Sequence, residues 1–261
     1  MLSSTVSDMD IPYIFDIHRG SRSDGEGIRT TVFFKGCTLD CFWCHNPEGK
    51  RAEPELAFFD RKCVGCGACK KVCKKTDECL GCFECAEVCP EGARRVYGKK
   101  YSAEELFGII CADRPYYDIT GGGVTFSGGE CMLYPDFLAE VAKMCRNARI
   151  SVAVDTAGYV PYSSFEKVLP YINIFLYDIK ALDCDLHKRG TGSENTLILE
   201  NLERLQKTGK RIFIRTPVIQ GFNEGAECER IARYCAERAL PLEFLPYHEF
   251  GTDKKKALKN N

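Results

Sequence analysis

Cys37, Cys41 and Cys44 stand together on one short stretch, Lys35 to Glu48. A cubane iron–sulfur cluster has four irons, each normally taking one thiolate, so three thiolates leave one iron open to bind something else. A structural zinc site prefers four closed ligands, commonly as two separated pairs, which this stretch does not offer. Three cysteines cannot all pair as disulfides, and they follow the apolar run Thr30–Phe34 rather than sitting in a secreted knot. The chemistry these residues suggest is redox chemistry at an open iron.

A second concentration of thiols follows. Cys63, Cys66, Cys69 and Cys73 form C-x2-C-x2-C-x3-C, and Cys79, Cys82, Cys85 and Cys89 repeat it with a trailing Pro90. This is the bacterial ferredoxin signature, in which the fourth cysteine of each run ligates the other cluster. On that pattern one [4Fe-4S] cluster takes Cys63, Cys66, Cys69 and Cys89, and the other takes Cys79, Cys82, Cys85 and Cys73. The linker, Lys74 to Glu78, is shorter than usual for such a pair, and Cys73 lacks the trailing proline.

Composition bounds the rest. The 261 residues carry a net charge of −1, with no basic stretch interleaved with aromatics, so nucleic acid is not expected as a partner. Met1 to Asp10 is polar and acidic, and no apolar run approaches a membrane span, so neither a secretory leader nor a membrane is expected and the cytoplasm is the default. There the 17 cysteines are metal ligands or thiols. Cys111, Cys131, Cys145, Cys184, Cys228 and Cys235 are scattered singly and are expected to be small buried hydrophobes or inert thiols.

These cysteines must be positioned by an alternating α/β chain. Apolar runs at Thr30–Phe34, Val124–Phe126, Ile150–Val154, Ile172–Tyr177, Ile212–Arg215 and Leu242–Leu245 read as strands. Glu104–Cys111, Pro135–Arg146, Leu197–Lys207 and Cys228–Arg238 read as crossover helices. Each strand runs into polar residues: Ser127-Gly128-Gly129-Glu130, Asp155-Thr156-Ala157-Gly158, Asp178-Ile179-Lys180, Arg215, and Tyr247-His248. In a parallel barrel those ends share one face, where such folds place their active sites. The expected architecture is a partial, open (β/α)6 TIM-like barrel over residues 1–52 and 96–261, with a small ferredoxin-like insert at 53–95.

The stretch FFKGC…CHNPE resembles the C-x3-C-x2-C loop of the radical S-adenosylmethionine (SAM) superfamily, and its CHNPE continuation narrows the likeness to the glycyl-radical-enzyme activating enzymes. Asp24 to Thr30, DGEGIRT, resembles the DGPGIRT segment of those enzymes, with Glu26 where they carry Pro. Gly128-Gly129-Glu130 resembles their GGE motif, with Cys131 in place of the following Pro, and the likeness runs on to His248. The resemblance implies an oxidoreductase in which the cluster on Cys37, Cys41 and Cys44 reductively cleaves SAM. The 5′-deoxyadenosyl radical then takes a hydrogen atom from a glycine of a partner enzyme. It implies that Trp43, Gly128, Gly129, Glu130, Asp155, Lys180, Arg215 and His248 hold SAM. Two glycines let backbone approach a ligand closely, Glu130 can accept from the ammonium group, and Lys180 and Arg215 suit the carboxylate. It also implies a monovalent cation at Asp155, Thr156 and Asp178, and a flavodoxin or ferredoxin as electron donor.

Two other readings stand beside this one: a radical SAM enzyme acting on a small molecule, and an electron-transfer ferredoxin with a barrel appended. The latter leaves the three-cysteine stretch and the strand-end motifs unexplained. Gly20 to Asp24 and His187 to Gly192 are expected on the rim that meets the partner. Lys254 to Asn261 is expected to end the chain without a final helix.

Overall fold

The computed structural model describes residues 11–74, 81–247 and 249–259. Its strands are β1 (Tyr13–Ser21), β2 (Arg29–Phe34), β3 (Glu55–Phe58), β4 (Arg94–Tyr97), β5 (Lys99–Lys100), β6 (Gly123–Gly128), β7 (Ser151–Thr156), β8 (Ile174–Asp178), β9 (Arg211–Val218) and β10 (Leu242–Pro246). One sheet takes the order β10-β9-β8-β7-β6-β2-β1-β5, and β3 pairs with β4 in a second. From β2 to β10 the six neighbours of the large sheet are parallel, whereas β1 runs antiparallel to β2 and to β5. The sheet ends at β10 on one side and β5 on the other, so the barrel is partial and open.

Helices α3 (Ala103–Cys111), α4 (Arg114–Thr120), α5 (Pro135–Asn147), α6 (Tyr162–Val168), α8 (Thr196–Gln206) and α9 (Ala226–Glu237) cover the outer face, while α7 (Cys184–Thr191) sits against the cysteine loop. Two short ones, α1 (Ala68–Val72) and α2 (Glu84–Glu87), lie among the second set of cysteines. Helix α3 starts at a reciprocal capping box between Ser102 and Glu105. A last helix, α10 (Phe250–Lys259), corrects the expectation that the chain stops without one. Among the described residues no helix is long and apolar enough to cross a membrane.

The pleat decides what faces inward, because successive strand residues point to opposite sides. Val124, Phe126, Val152, Val154, Phe175, Tyr177, Ile212 and Ile214 pack outward with the helices in the main core. The alternate residues Ala153, Ile174, Leu176 and Phe213 form a separate cluster on the inner side. Continuing that alternation toward the C-terminal strand ends puts Ser127, Asp155, Asp178 and Arg215 on the inner side as well.

The opposite end of the barrel is closed by the DGEGIRT segment. Arg29 is fully buried and donates to Thr125 Oγ1 at 2.6 Å, to Glu26 O at 3.2 Å and to Ser151 O at 3.2 Å. Glu26 forms an ion pair with Arg211 at the first residue of β9. Its side chain therefore ties β2 to β9 across the base. Because Ser21 pairs with Arg29 at the start of β2, Gly20 to Asp24 lies at the N-terminal ends of the parallel strands. That placement corrects the expectation that Gly20 to Asp24 forms part of the cysteine-face rim.

Candidate active site

Strand β2 delivers the cysteine loop, and the loop is fixed from three sides. Gly36 N donates to Arg51 O at 3.1 Å and Cys37 N to Lys50 O at 3.1 Å, which closes the loop on its own return. Asp40 N donates to Thr191 O at 2.7 Å and Phe42 N to Gly190 O at 3.1 Å, so the end of α7 forms its second support. Lys35, fully buried, donates from Nζ to Glu48 O at 2.5 Å and to Glu55 Oε2 at 2.9 Å. The segment His187 to Gly192 is thus largely helix and underpins the loop. A Cβ on Gly190 would meet Phe222 at 2.4 Å and Trp43 at 2.8 Å, so only glycine lets the loop approach α7. Trp43 is wedged there, its ring 4.5 Å from that of Phe222.

The third support is Gly128-Gly129-Glu130. Gly129 N donates to Phe34 O at 2.8 Å and Glu130 N to Gly36 O at 2.7 Å. A Cβ on Gly128 would fall 2.3 Å from Phe34 N, and one on Gly129 would fall 2.1 Å from Gly36 O and 2.4 Å from Gly49 O. The close approach that requires the two glycines is therefore to the backbone of the cysteine loop. Glu130 is completely buried, and its carboxylate accepts from Met132 N at 3.1 Å, Thr156 Oγ1 at 2.8 Å and Ala157 N at 3.1 Å. Burial raises its pKa to about 7 despite those donors. Its lone pairs are engaged inside the fold, joining β6 to β7.

Four charges converge at the strand ends. Lys180 Nζ donates to Asp178 Oδ2 at 2.7 Å. Arg215 Nη1 lies 3.5 Å from Asp155 Oδ1, and Ser127 Oγ donates to Asp155 Oδ2 at 2.7 Å. Burial pushes the Asp155 carboxyl up, and Arg215 offsets this only in part. Burial opposes the charge on Lys180, but Asp178 and the nearby thiol of Cys41 outweigh it and hold the ammonium above its usual range. Among the described residues Arg215 Nε and Nη1 are buried without a hydrogen-bond acceptor, Nη1 having only the longer ion pair to Asp155, so this corner can receive an anionic group. Thr156 has the opposite parity to Asp155 and gives its hydroxyl to Glu130, away from Asp155 and Asp178. Ser127 and Asn223 are additions that sequence reasoning missed. Asn223, fully buried, donates to Lys180 O and Pro217 O, both at 2.8 Å, and so fixes the backbone that carries Lys180. For Ser127 the signal was its place in the strand-end motif Ser127-Gly128-Gly129-Glu130. His248 and Cys79 lie outside the described residues.

The donor set fits a cluster. Burial pushes the Cys37 thiol up to about 12, and the neighbouring Glu130, Cys41 and Cys44 add to this. Burial likewise raises Cys41 and Cys44. Three adjacent half-buried thiols become thiolates together only against a cationic metal core. Among the described residues no three His, Cys, Asp or Glu side chains gather tightly enough to hold one metal ion. A cubane core spans more space than one ion, so its thiolates stand further apart. In the insert, Cys63, Cys66, Cys69 and Cys89 line one open hollow together with Arg94. Cys85 is buried on α2, while Cys73 and Cys82 lie nearer the surface.

Residues 31–235 match the Radical SAM superfamily. Over 93% of its length the chain is 41% identical to the trans-4-hydroxy-L-proline dehydratase activating enzyme of Clostridioides difficile, covering 86% of that protein. It is 36% identical to the choline trimethylamine-lyase activating enzyme of Oleidesulfovibrio alaskensis, over 94% of this chain and 86% of that one. Among solved structures, Streptococcus suis SuiB bound to precursor peptide SuiA shares the fold. Its TM-score is 0.54 at 15% identity, covering 85% of this chain and 39% of that one.

Proposed function

From the premise that the chain belongs to the radical SAM superfamily, and with it to the glycyl-radical-enzyme activating enzymes, we propose the following reading of its site and partners. The observation that carries it is the convergence of the three-cysteine loop with Asp155, Asp178, Lys180 and Arg215 at one end of a parallel barrel. A [4Fe-4S] cluster held by Cys37, Cys41 and Cys44 supplies the electron that splits SAM into methionine and a 5′-deoxyadenosyl radical, which removes a hydrogen atom from a glycine of the partner enzyme. The chain's own residues do the rest. Arg215 and Lys180 receive the methionine carboxylate, Arg215 through Nε and Nη1, which have no hydrogen-bond acceptor among the described residues. Asp155 and Asp178 hold those cations in place. Glu130 and the two glycines hold the loop rigid, and the backbone around them is left to meet the ammonium group. The resemblance assigns the nucleoside contact to His248.

Asp155 and Asp178 with a monovalent cation complete the carboxylate corner. The insert at 53–95 carries two auxiliary [4Fe-4S] clusters, one on Cys63, Cys66, Cys69 and Cys89 and one on Cys73, Cys79, Cys82 and Cys85; the hollow shared by the first set supports the first of them, and the cysteine spacing supports the second. A flavodoxin or ferredoxin supplies electrons in the cytoplasm. The test is anaerobic reconstitution of the parent and of Cys41→Ala. The parent is expected to form 5′-deoxyadenosine and, with a glycyl radical enzyme, an EPR-visible glycine radical. Cys41→Ala is expected to do neither, and 5′-deoxyadenosine at the parent rate from that variant would refute the assignment.

A further inference from the structure

One surface feature is not used by the reading above, on which the following inference rests. Between the cysteine loop and α10 lies an open hollow whose wall includes Cys44 and whose rim carries Lys50, Arg51, Lys255 and Lys259, with Glu55 the one carboxylate. Glu55 is already engaged by Lys35 at 2.9 Å and by Arg51 at 3.6 Å. Lys255 and Lys259 are exposed, stand four residues apart on one helix face, and have no ion pair among the described residues. Lys50 is ion-paired with Asp40, so the excess of positive charge rests on Lys255 and Lys259, and it is local, since Lys and Arg together number 36 against 37 acidic residues in the whole chain. Leu258 adds an apolar contact within the hollow, the mixture found at protein interfaces rather than at small-anion sites.

We infer that this hollow is the docking site of an acidic protein that delivers single electrons, and that Cys44 is where they reach the cluster. Electron transfer slows steeply with distance, so an open basic hollow lined by a residue that ligates the cluster is a favoured point of delivery. Asp155, Asp178, Lys180 and Arg215 are absent from its lining, so a donor seated there leaves the SAM side free. The complementary charges steer the encounter and make it salt-dependent. The donor gives up one electron and is oxidised by one equivalent; the cluster gains that electron, and no atom is transferred.

The experiment compares the reconstituted parent with Lys255→Glu/Lys259→Glu, using flavodoxin as the acidic probe. Calorimetry of oxidised flavodoxin should show about tenfold weaker binding to the variant at low salt, with the difference shrinking as salt screens it. Stopped-flow bleaching of the cluster by flavodoxin hydroquinone should slow by about the same factor. Reduction by photoexcited deazaflavin, a small reductant, should be unchanged in both proteins. Binding and rate within about twofold of the parent would overturn the inference. So would a Lys70→Glu/Lys71→Glu variant that alone slows reduction, since electrons would then arrive through the insert. Failure of the parent to cleave SAM under deazaflavin would instead count against the function proposed above, so the two failures are told apart.

Discussion

Gly129→Ala is the sharpest test of how the site is held. Gly129 does not have a positive φ, so its requirement for glycine is spatial. An added Cβ falls 2.1 Å from Gly36 O and 2.4 Å from Gly49 O, both backbone atoms of the cysteine loop. Reaching even a tight contact requires a shift of about 1 Å, and close-packed interiors resist such a shift. Gly36 is held by Arg51 O at 3.1 Å and Gly49 by Asn46 O at 2.8 Å, so neither can yield freely. Overpacking of this kind costs about 3 kcal/mol, near the top of its usual range. For a chain of this size that lowers the melting temperature by roughly 6–10 °C. The control is Gly209→Ala, where φ is +70° and nothing lies within 4 Å of the new Cβ. It pays only the left-handed backbone cost of about 1–2 kcal/mol. Differential scanning calorimetry reads stability, and iron analysis of a Cys66→Ala/Cys82→Ala background reads the barrel cluster. Gly129→Ala should melt well below Gly209→Ala and hold less barrel iron. Equal melting with full iron would refute the claim that the two glycines serve the cysteine loop.

Glu130 supplies a pH test. Its pKa is about 7 in the fold against an ordinary 4.5, so the folded chain keeps a proton that the unfolded chain loses. The contribution is full below about 4.5 and falls as pH rises through about 7, on the order of 3 kcal/mol in all; urea unfolding between those values should show the slope, and Glu130→Gln should flatten it. Removing Cys66 and Cys82 should reduce total iron from about twelve to about four per chain while the remaining cluster keeps an EPR signal that SAM perturbs; unchanged iron would mean the insert binds none.

The barrel strands were legible because each is an apolar run ended by a polar motif, and β7 at Ser151–Thr156 lies within two residues of the expected Ile150–Val154. What stayed hidden has physical causes. Helix α7 carries Asp185, Lys188 and Arg189 beside a buried His187 and Gly190, so its supporting face has no apolar stripe to reveal it. Helix α10 reads as a lysine run, with Ala257 as its deeply buried apolar contact. Glycine pairs show that backbone comes close to something, but not to what; Gly36 and Gly129 are far apart in the chain and meet only in the fold. The resemblance implies a cation site at Asp155, Thr156 and Asp178, yet the pleat turns the Thr156 side chain to the face opposite Asp155 and Asp178. The DGEGIRT segment preceding β2 gave no sign of which barrel end it occupies until the register of β1 against β2 settled it.

One consequence of α10 reaches back to the cysteine loop. Ala257 shares a small core with Phe15, Ala57 and Tyr97, which come from β1, β3 and β4. Docked there, the helix brings Lys254 Nζ to Glu48 Oε1 at 2.5 Å, and Gly251 against the backbone of Cys44 and His45. Glu48 is almost completely buried, and its second oxygen, Oε2, has no hydrogen-bond donor among the described residues. A buried carboxylate in that position depends on the cations around it, because losing a partner strands the charge. Lys35, from the end of β2, donates to the main-chain oxygen of the same residue. The two lysines therefore grip Glu48 from different sides, one at its backbone and one at its side chain. Each is anchored in a separate part of the fold, so the CHNPE end of the loop cannot move without disturbing both β2 and α10. The last helix thus acts as a structural support of the loop that carries Cys44, at the edge where the second set of cysteines begins.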